Sequence, residues 1–234
     1  MNYSKPTDRF DIHIDDNAKT ITIRQRWKYG WRYDSPNGIK PWTDAEKKYF
    51  HNQVLSLITS TWQSAPGINF KGSSDFVKNN VGKLFRFRFD IERVISNEHW
   101  AVSANKISST RALPTYVNWS ARKIVIDIND IAPDLKTNGL ANALQYPVVH
   151  EFGHTIGNVP LLYIGSHGDE YYSKSILNPY SATISQTTAN YNDYQSIMNI
   201  GSSIRERHFD YLLRELNTII PGTVFYFNSF MRWN

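Results

Sequence analysis

Residues 145–157 read QYPVVHEFGHTIG, and the fold turns on whether this run is a helix. Pro147 is acceptable in a first helical turn, where its missing N–H would have had no partner, and Gly157 suits a helix C-terminus. The spacing predicts a helix over about Gln145 to Ile156. Such a helix stacks His150 and His154 on one face, while Val149, Phe152 and Ile156 point to a core. Two imidazoles four residues apart are half of a metal site. Glu151 stands beside the first of them, where a carboxylate reaches a metal-held water without ligating the ion. A purely structural metal would give Glu151 no role, which favours a catalytic one.

Working outward, the chain has 234 residues and no cysteine. Disulfides, thiolate metal sites and cysteine nucleophiles are excluded, so any metal must sit on histidine and carboxylate. No glycine- or proline-rich linker cuts the chain into viable halves, and one domain over 1–234 is expected. A net charge of +5 and a pI near 9.2 suit an anionic neighbour such as nucleic acid, a cell wall or a membrane surface. No uncharged run approaches the length of a membrane span. The opening MNYSKPTDRFDIHIDD lacks the apolar core and cleavage site of a secretory signal, so export would use another route.

The flanking segments predict an α+β fold, a mixed twisted sheet carrying a long helix. From Ile21 to Tyr33, Ile21, Ile23, Trp27, Tyr29, Trp31 and Tyr33 alternate with Thr22, Arg24, Arg26, Lys28 and Arg32, the pattern of a strand with an aromatic face. The mixture of base and aromatic in RQRWKYGWRY also occurs in single-strand nucleic-acid binders. Rings turned inward describe it more economically, and no nucleic-acid partner is expected. Thr43 and Glu46 form a capping box ahead of Phe50, Val54, Leu57, Ile58 and Trp62, which share one side of a long helix. LFRFRFDIERV and KIVIDINDI alternate as half-buried strands, the second with Ile124, Ile126 and Ile128 inward and a candidate strand at a cleft rim. Ser203 and Glu206 predict a second capping box, for a helix through Phe209, Leu212, Leu213 and Leu216.

The third metal ligand is the open question. The segment from His150 to Gly157 resembles the metzincin zinc-peptidase pattern H-E-x-x-H-x-x-G-x-x-H, but Pro160 occupies the last ligand position. A methionine turn over Ser196–Gly201, centred on Met198, strengthens the resemblance. The tyrosine that often follows two residues later is replaced by Ile200. A loop after Asn158 would bring in Glu170, Asp169 or His167. Glu170 is favoured for its reach, with Asp169 bracing the turn or a ligand histidine. The expected cofactor is one catalytic zinc ion. Tyr171, Tyr172, Tyr191, Tyr194 and His208 lie in segments that could help at the transition state, Tyr172 and His208 foremost as substrate contacts.

HEFGHTIGN, GDEY, SIMNIG and RERHF together, over residues 150–209, resemble the C-terminal metallopeptidase extension of type VI secretion spike proteins of the VgrG family. That resemblance implies a zinc-dependent peptidase toxin, carried on a spike into a neighbouring cell and acting in the periplasm on a protein or peptide. It also favours an acidic third ligand from GDEY. An immunity protein is a further candidate partner, and the isolated domain is expected to be a monomer. Two other readings stay open: a peptidoglycan peptidase or amidase using the same zinc, and a metal-stabilised binding module without hydrolysis.

Overall fold

A computed structural model describes residues 2–111, 113–138, 141–157 and 193–227. In chain order its strands and helices are β1 (Asn2–Pro6), β2 (Asp11–Asp15), β3 (Thr20–Tyr33), α1 (Asp44–Trp62), β4 (Ile68–Gly72), α2 (Asp75–Asn79), β5 (Arg86–Arg93), β6 (Trp100–Lys106), β7 (Tyr116–Asn118), β8 (Lys123–Asp127), β9 (Asp134–Asn138), β10 (Ala141–Gln145), α3 (Pro147–Gly157), α4 (Asp210–Leu216) and β11 (Thr223–Phe227). The fold is α+β, with a mixed sheet and few helices.

β3 is the spine of a seven-stranded sheet. Its first half pairs with β2 antiparallel and with β5 parallel, and its second half pairs with β6 parallel. The sheet continues through β8, parallel to β6, and ends on β7, antiparallel to β8. Strict alternation drives this arrangement: Ile21, Ile23 and Trp27 of β3, with Phe87, Phe89 and Ile91 of β5, are buried on one face. Trp31 follows on that face and lies edge-on to Trp42 and Phe50, and Tyr29 lies edge-on to His51, so these two rings of RQRWKYGWRY face α1, while Tyr33 at the strand end is exposed. Gln25 sits among them, fully buried, a polar residue on the core face that the alternation alone does not anticipate.

α1 begins with the predicted capping box, Thr43 accepting from the Glu46 N–H and Glu46 accepting from the Thr43 N–H. It lays Phe50, Val54, Ile58 and Trp62 across β5 and against α3. One apolar cluster runs from Phe10 in the N-terminal region to Phe227 in β11. No helix among the described residues is long and apolar enough to cross a membrane.

Three expectations are corrected. The strand in KIVIDINDI stops at Asp127, whose carboxylate accepts from the Asn129 N–H and opens a 3-10 turn over Ile128–Ile131. That strand, β8, is also interior, flanked by β6 and β7, so it is not the rim; the short strand β7 stands at the end of the sheet. Near the C-terminus, Ser203 caps no helix. It bridges to Ser196, and the chain enters α4 through a 3-10 turn over Glu206–Phe209, whose start is closed by the Arg205 N–H donating to His208 Nδ1 at 3.0 Å.

Candidate metal centre

α3 begins at Pro147, two residues later than predicted, because Gln145 completes β10 opposite Asp134. Val149, Phe152 and Ile156 are buried as expected, and Trp62 at the end of α1 donates its indole N–H to the Val149 carbonyl at 3.1 Å. From the sheet side, Gln25 donates to Thr155 Oγ1 at 2.7 Å and accepts from the Trp27 indole at 2.8 Å. The helix is thus fixed on two sides by buried hydrogen bonds, which lose most when left unmade.

His150 and His154 face one another from successive turns, with their Nε2 atoms 3.2 Å apart. His150 Nδ1 lies 2.7 Å from the carbonyl oxygen of Ile197. A carbonyl only accepts, so Nδ1 carries the proton, and Nε2 of the neutral ring presents its lone pair toward His154. Two nitrogens each about 2.0–2.1 Å from one tetrahedral zinc ion lie roughly 3.3 Å apart, so the observed separation and the anchored outer nitrogen both fit a zinc pair. Glu151, one residue on, is buried, and its Oε1 accepts from the Thr115 hydroxyl at 3.2 Å. Close by, burial together with the charges of Asp127 and Glu151 pushes the Asp130 carboxyl up to about 8.

The Ser196–Gly201 segment is a tight turn, closed by Asn199 and Gly201 N–H groups donating to the Ser196 carbonyl at 3.0 Å each. Met198 at its centre is buried beneath α3. A Cβ on Gly153 would fall 2.3 Å from Met198 Sδ, and one on Gly157 would fall 2.2 Å from the His208 carbonyl oxygen. These glycines are there for close approach: Gly157 ends the helix without adopting a left-handed φ. The turn is tied down from three directions. Gln145 Nε2 donates to the carbonyls of Ile197, Asn199 and Gly201 at 2.8, 3.2 and 2.7 Å. His208, its Nδ1 taken by Arg205 N–H, donates from Nε2 to Ser196 Oγ at 3.0 Å. Ahead of the turn, burial would raise the Asp193 carboxyl, but hydrogen bonds from Arg205 and Arg207 hold it below its ordinary range.

The structure brings together His150, Glu151, His154 and Met198. It gives His208 a different place from the expected substrate contact: the ring is buried and both its nitrogens bond within the protein. Glu170, Asp169, His167, Tyr171, Tyr172 and Tyr191 lie outside the described residues, and among the described residues no three histidine or carboxylate side chains are grouped to hold a metal. Sequence reasoning missed Gln145, Thr115, Asp130 and Gly153. For Gln145 a signal existed, a polar residue two places before an apolar helix start. Thr115 and Asp130 carry no local signal, since each meets the site only through folding. Comparisons with protein-family models, curated proteins and solved structures found no match.

Proposed function

We propose that the chain is a zinc metallopeptidase of metzincin-like architecture that hydrolyses peptide bonds, the effector domain of a VgrG-type spike delivered by type VI secretion to the periplasm of a target cell. The observation that carries the chemistry is the pair of Nε2 atoms 3.2 Å apart, with His150 oriented from behind by a carbonyl of the methionine turn. Orientation of a ligand imidazole through its outer nitrogen is the usual companion of a metal-binding histidine. Delivery and compartment rest on the motif resemblance over residues 150–209.

His150 and His154 would hold the ion, with a third donor from Glu170, Asp169 or His167. When bound, zinc supplies a Lewis acid for the substrate carbonyl and makes water nucleophilic near neutral pH. Glu151 acts as general base and then acid, taking a proton from the attacking water at its carboxylate and returning it to the leaving amine. Thr115 orients that carboxylate by holding Oε1. β7 pairs only with β8 among the described residues and lies against α3, so its outer edge suits an extended peptide laid beside the site. The exposed Arg86 and Arg88 on the solvent face of β5 favour a second substrate reading, the anionic peptidoglycan wall.

The test is digestion of protein and of purified peptidoglycan, with and without a chelator, alongside zinc analysis. One zinc per chain and chelator-sensitive cleavage are expected. Glu151→Gln should keep the zinc and lose activity by ~100- to 10,000-fold. A fully active Glu151→Gln protein, or a chain that stays metal-free after zinc supplementation, overturns the proposal.

A further inference from the structure

We infer that Gln145 is a positioning residue for His150: through the Ile197 carbonyl it fixes which ring nitrogen of that histidine faces His154. Gln145 belongs to no catalytic motif. It is the last residue of β10, and its buried side chain crosses to a turn more than fifty residues further along the chain.

Three carbonyl oxygens, of Ile197, Asn199 and Gly201, converge within 3.2 Å of its single amide nitrogen. Their partial charges repel one another, so the turn can keep this form only with a polarised N–H group at the centre. The amide must therefore present its nitrogen, not its oxygen, to the turn. An aspartate or glutamate would add a fourth repelling oxygen, an asparagine is one methylene short, and an apolar residue leaves the carbonyls facing each other. The Ile197 oxygen takes both Gln145 Nε2 at 2.8 Å and His150 Nδ1 at 2.7 Å, which occupies its two lone pairs. Moving that oxygen removes the acceptor that keeps the proton on Nδ1, and with it the reason for Nε2 to carry none. The hydrogen-bond chain from Gln145 through Ile197 to His150 is a property of the metal-free protein. Its consequence for zinc rests on the metallopeptidase reading above.

The experiment uses the metal-free full chain, uniformly labelled with nitrogen-15 and carbon-13, in NMR at a pH where His150 is neutral. Wild type is expected to show His150 as the Nδ1–H tautomer, with a through-bond coupling from the Gln145 amide to the carbonyls of Ile197 and Gly201. In Gln145→Met, of similar length without a donor, and in Gln145→Glu, the ratio of Nδ1–H to Nε2–H at His150 should fall about tenfold. His13 and His51, remote in the sheet and α1, should keep their spectra. Zinc affinity, titrated with zinc alone, should fall roughly 10- to 100-fold. A wild-type His150 in the Nε2–H form, or a folded Gln145→Met protein with the wild-type tautomer ratio, overturns the inference. Should neither variant fold, the wild-type couplings decide, their absence overturning it. A wild type that binds no zinc sinks the metallopeptidase reading and leaves the tautomer to judge Gln145. Zinc binding with an unchanged tautomer in the variants does the reverse.

Discussion

Replacing Gly153 by alanine sets two general effects against each other. In an ordinary helix interior the change stabilises by about 1 kcal/mol, because glycine has more backbone freedom to lose. Here the new methyl would lie 2.3 Å from Met198 Sδ and 2.8 Å from Trp62 Cζ2. A methionine can swing aside when it has room, but Met198 is only 3% exposed. Trp62 cannot yield cheaply either, since its indole N–H is bonded to Val149 and its ring sits edge-on to Phe152 and Phe209. Overpacking costs about 1–3 kcal/mol, and two simultaneous contacts put this site near the top of that range. Subtracting the helix gain leaves a net loss of about 2 kcal/mol, or roughly 4–8 °C in melting temperature for a chain of this size. Thermal unfolding of the metal-free protein, followed by circular dichroism and tryptophan fluorescence, measures it. Met198→Ala alone should cost about 2–5 kcal/mol, and the double variant should lose at least ~1 kcal/mol less than the sum, because the methyl fills space the methionine vacates. A Gly153→Ala protein as stable as wild type, or strictly additive costs, would refute the close seating of the turn against the helix.

Two further outcomes follow from buried groups beside the site. Asp130 ionises near 3.8 as a free side chain and near 8 in the fold, so between those values the folded chain keeps a proton that the unfolded chain releases. Its contribution to stability is full below about pH 4 and is lost toward pH 8, at up to ~1.4 kcal/mol per pH unit. Asp130→Asn, whose side-chain oxygen can still accept from the Asp127 N–H, should flatten that slope in denaturant titrations from pH 4 to 8 and be the more stable protein at pH 8; an unchanged slope contradicts the assignment. Gln25→Leu makes the core more apolar yet should lower stability by ~2–4 kcal/mol, because it strips the acceptor from the Trp27 indole and the donor from Thr155. Urea unfolding in which Gln25→Leu matches or exceeds wild type would show that these bonds do not hold the helix to the sheet.

What the sequence disclosed and what it withheld divide along a physical line. The alternation from Ile21 to Trp31, the Thr43–Glu46 cap and the buried side of α1 are set by neighbours within one or two turns, and all are present in the fold; only Tyr33, expected on the same face, is exposed. So is the facing of His150 and His154, since an i,i+4 pair needs only one continuous helix. The parallel pairing of β3 with β5 and β6, the interior place of β8 and the burial of Gln25 depend on which segments meet, and no local period encodes that. The 3-10 entry to α4 departs from the local signal for the same reason: His208, also bonded to Ser196 in the turn, closes the helix start in place of the Ser203–Glu206 box. At the candidate centre the contrast is sharpest. His150, Glu151 and His154, which would meet the ion and the water, lie on one helix. The atom that fixes the direction of His150 comes from Ile197, the one that holds Glu151 comes from Thr115, and the atom that fixes Ile197 comes from Gln145, 52 positions away. A motif search weighs only the first set. The second set decides whether His150 offers a lone pair or a proton toward His154, so a chain can keep every motif residue and still lose the site by a change at Gln145 or Gly153.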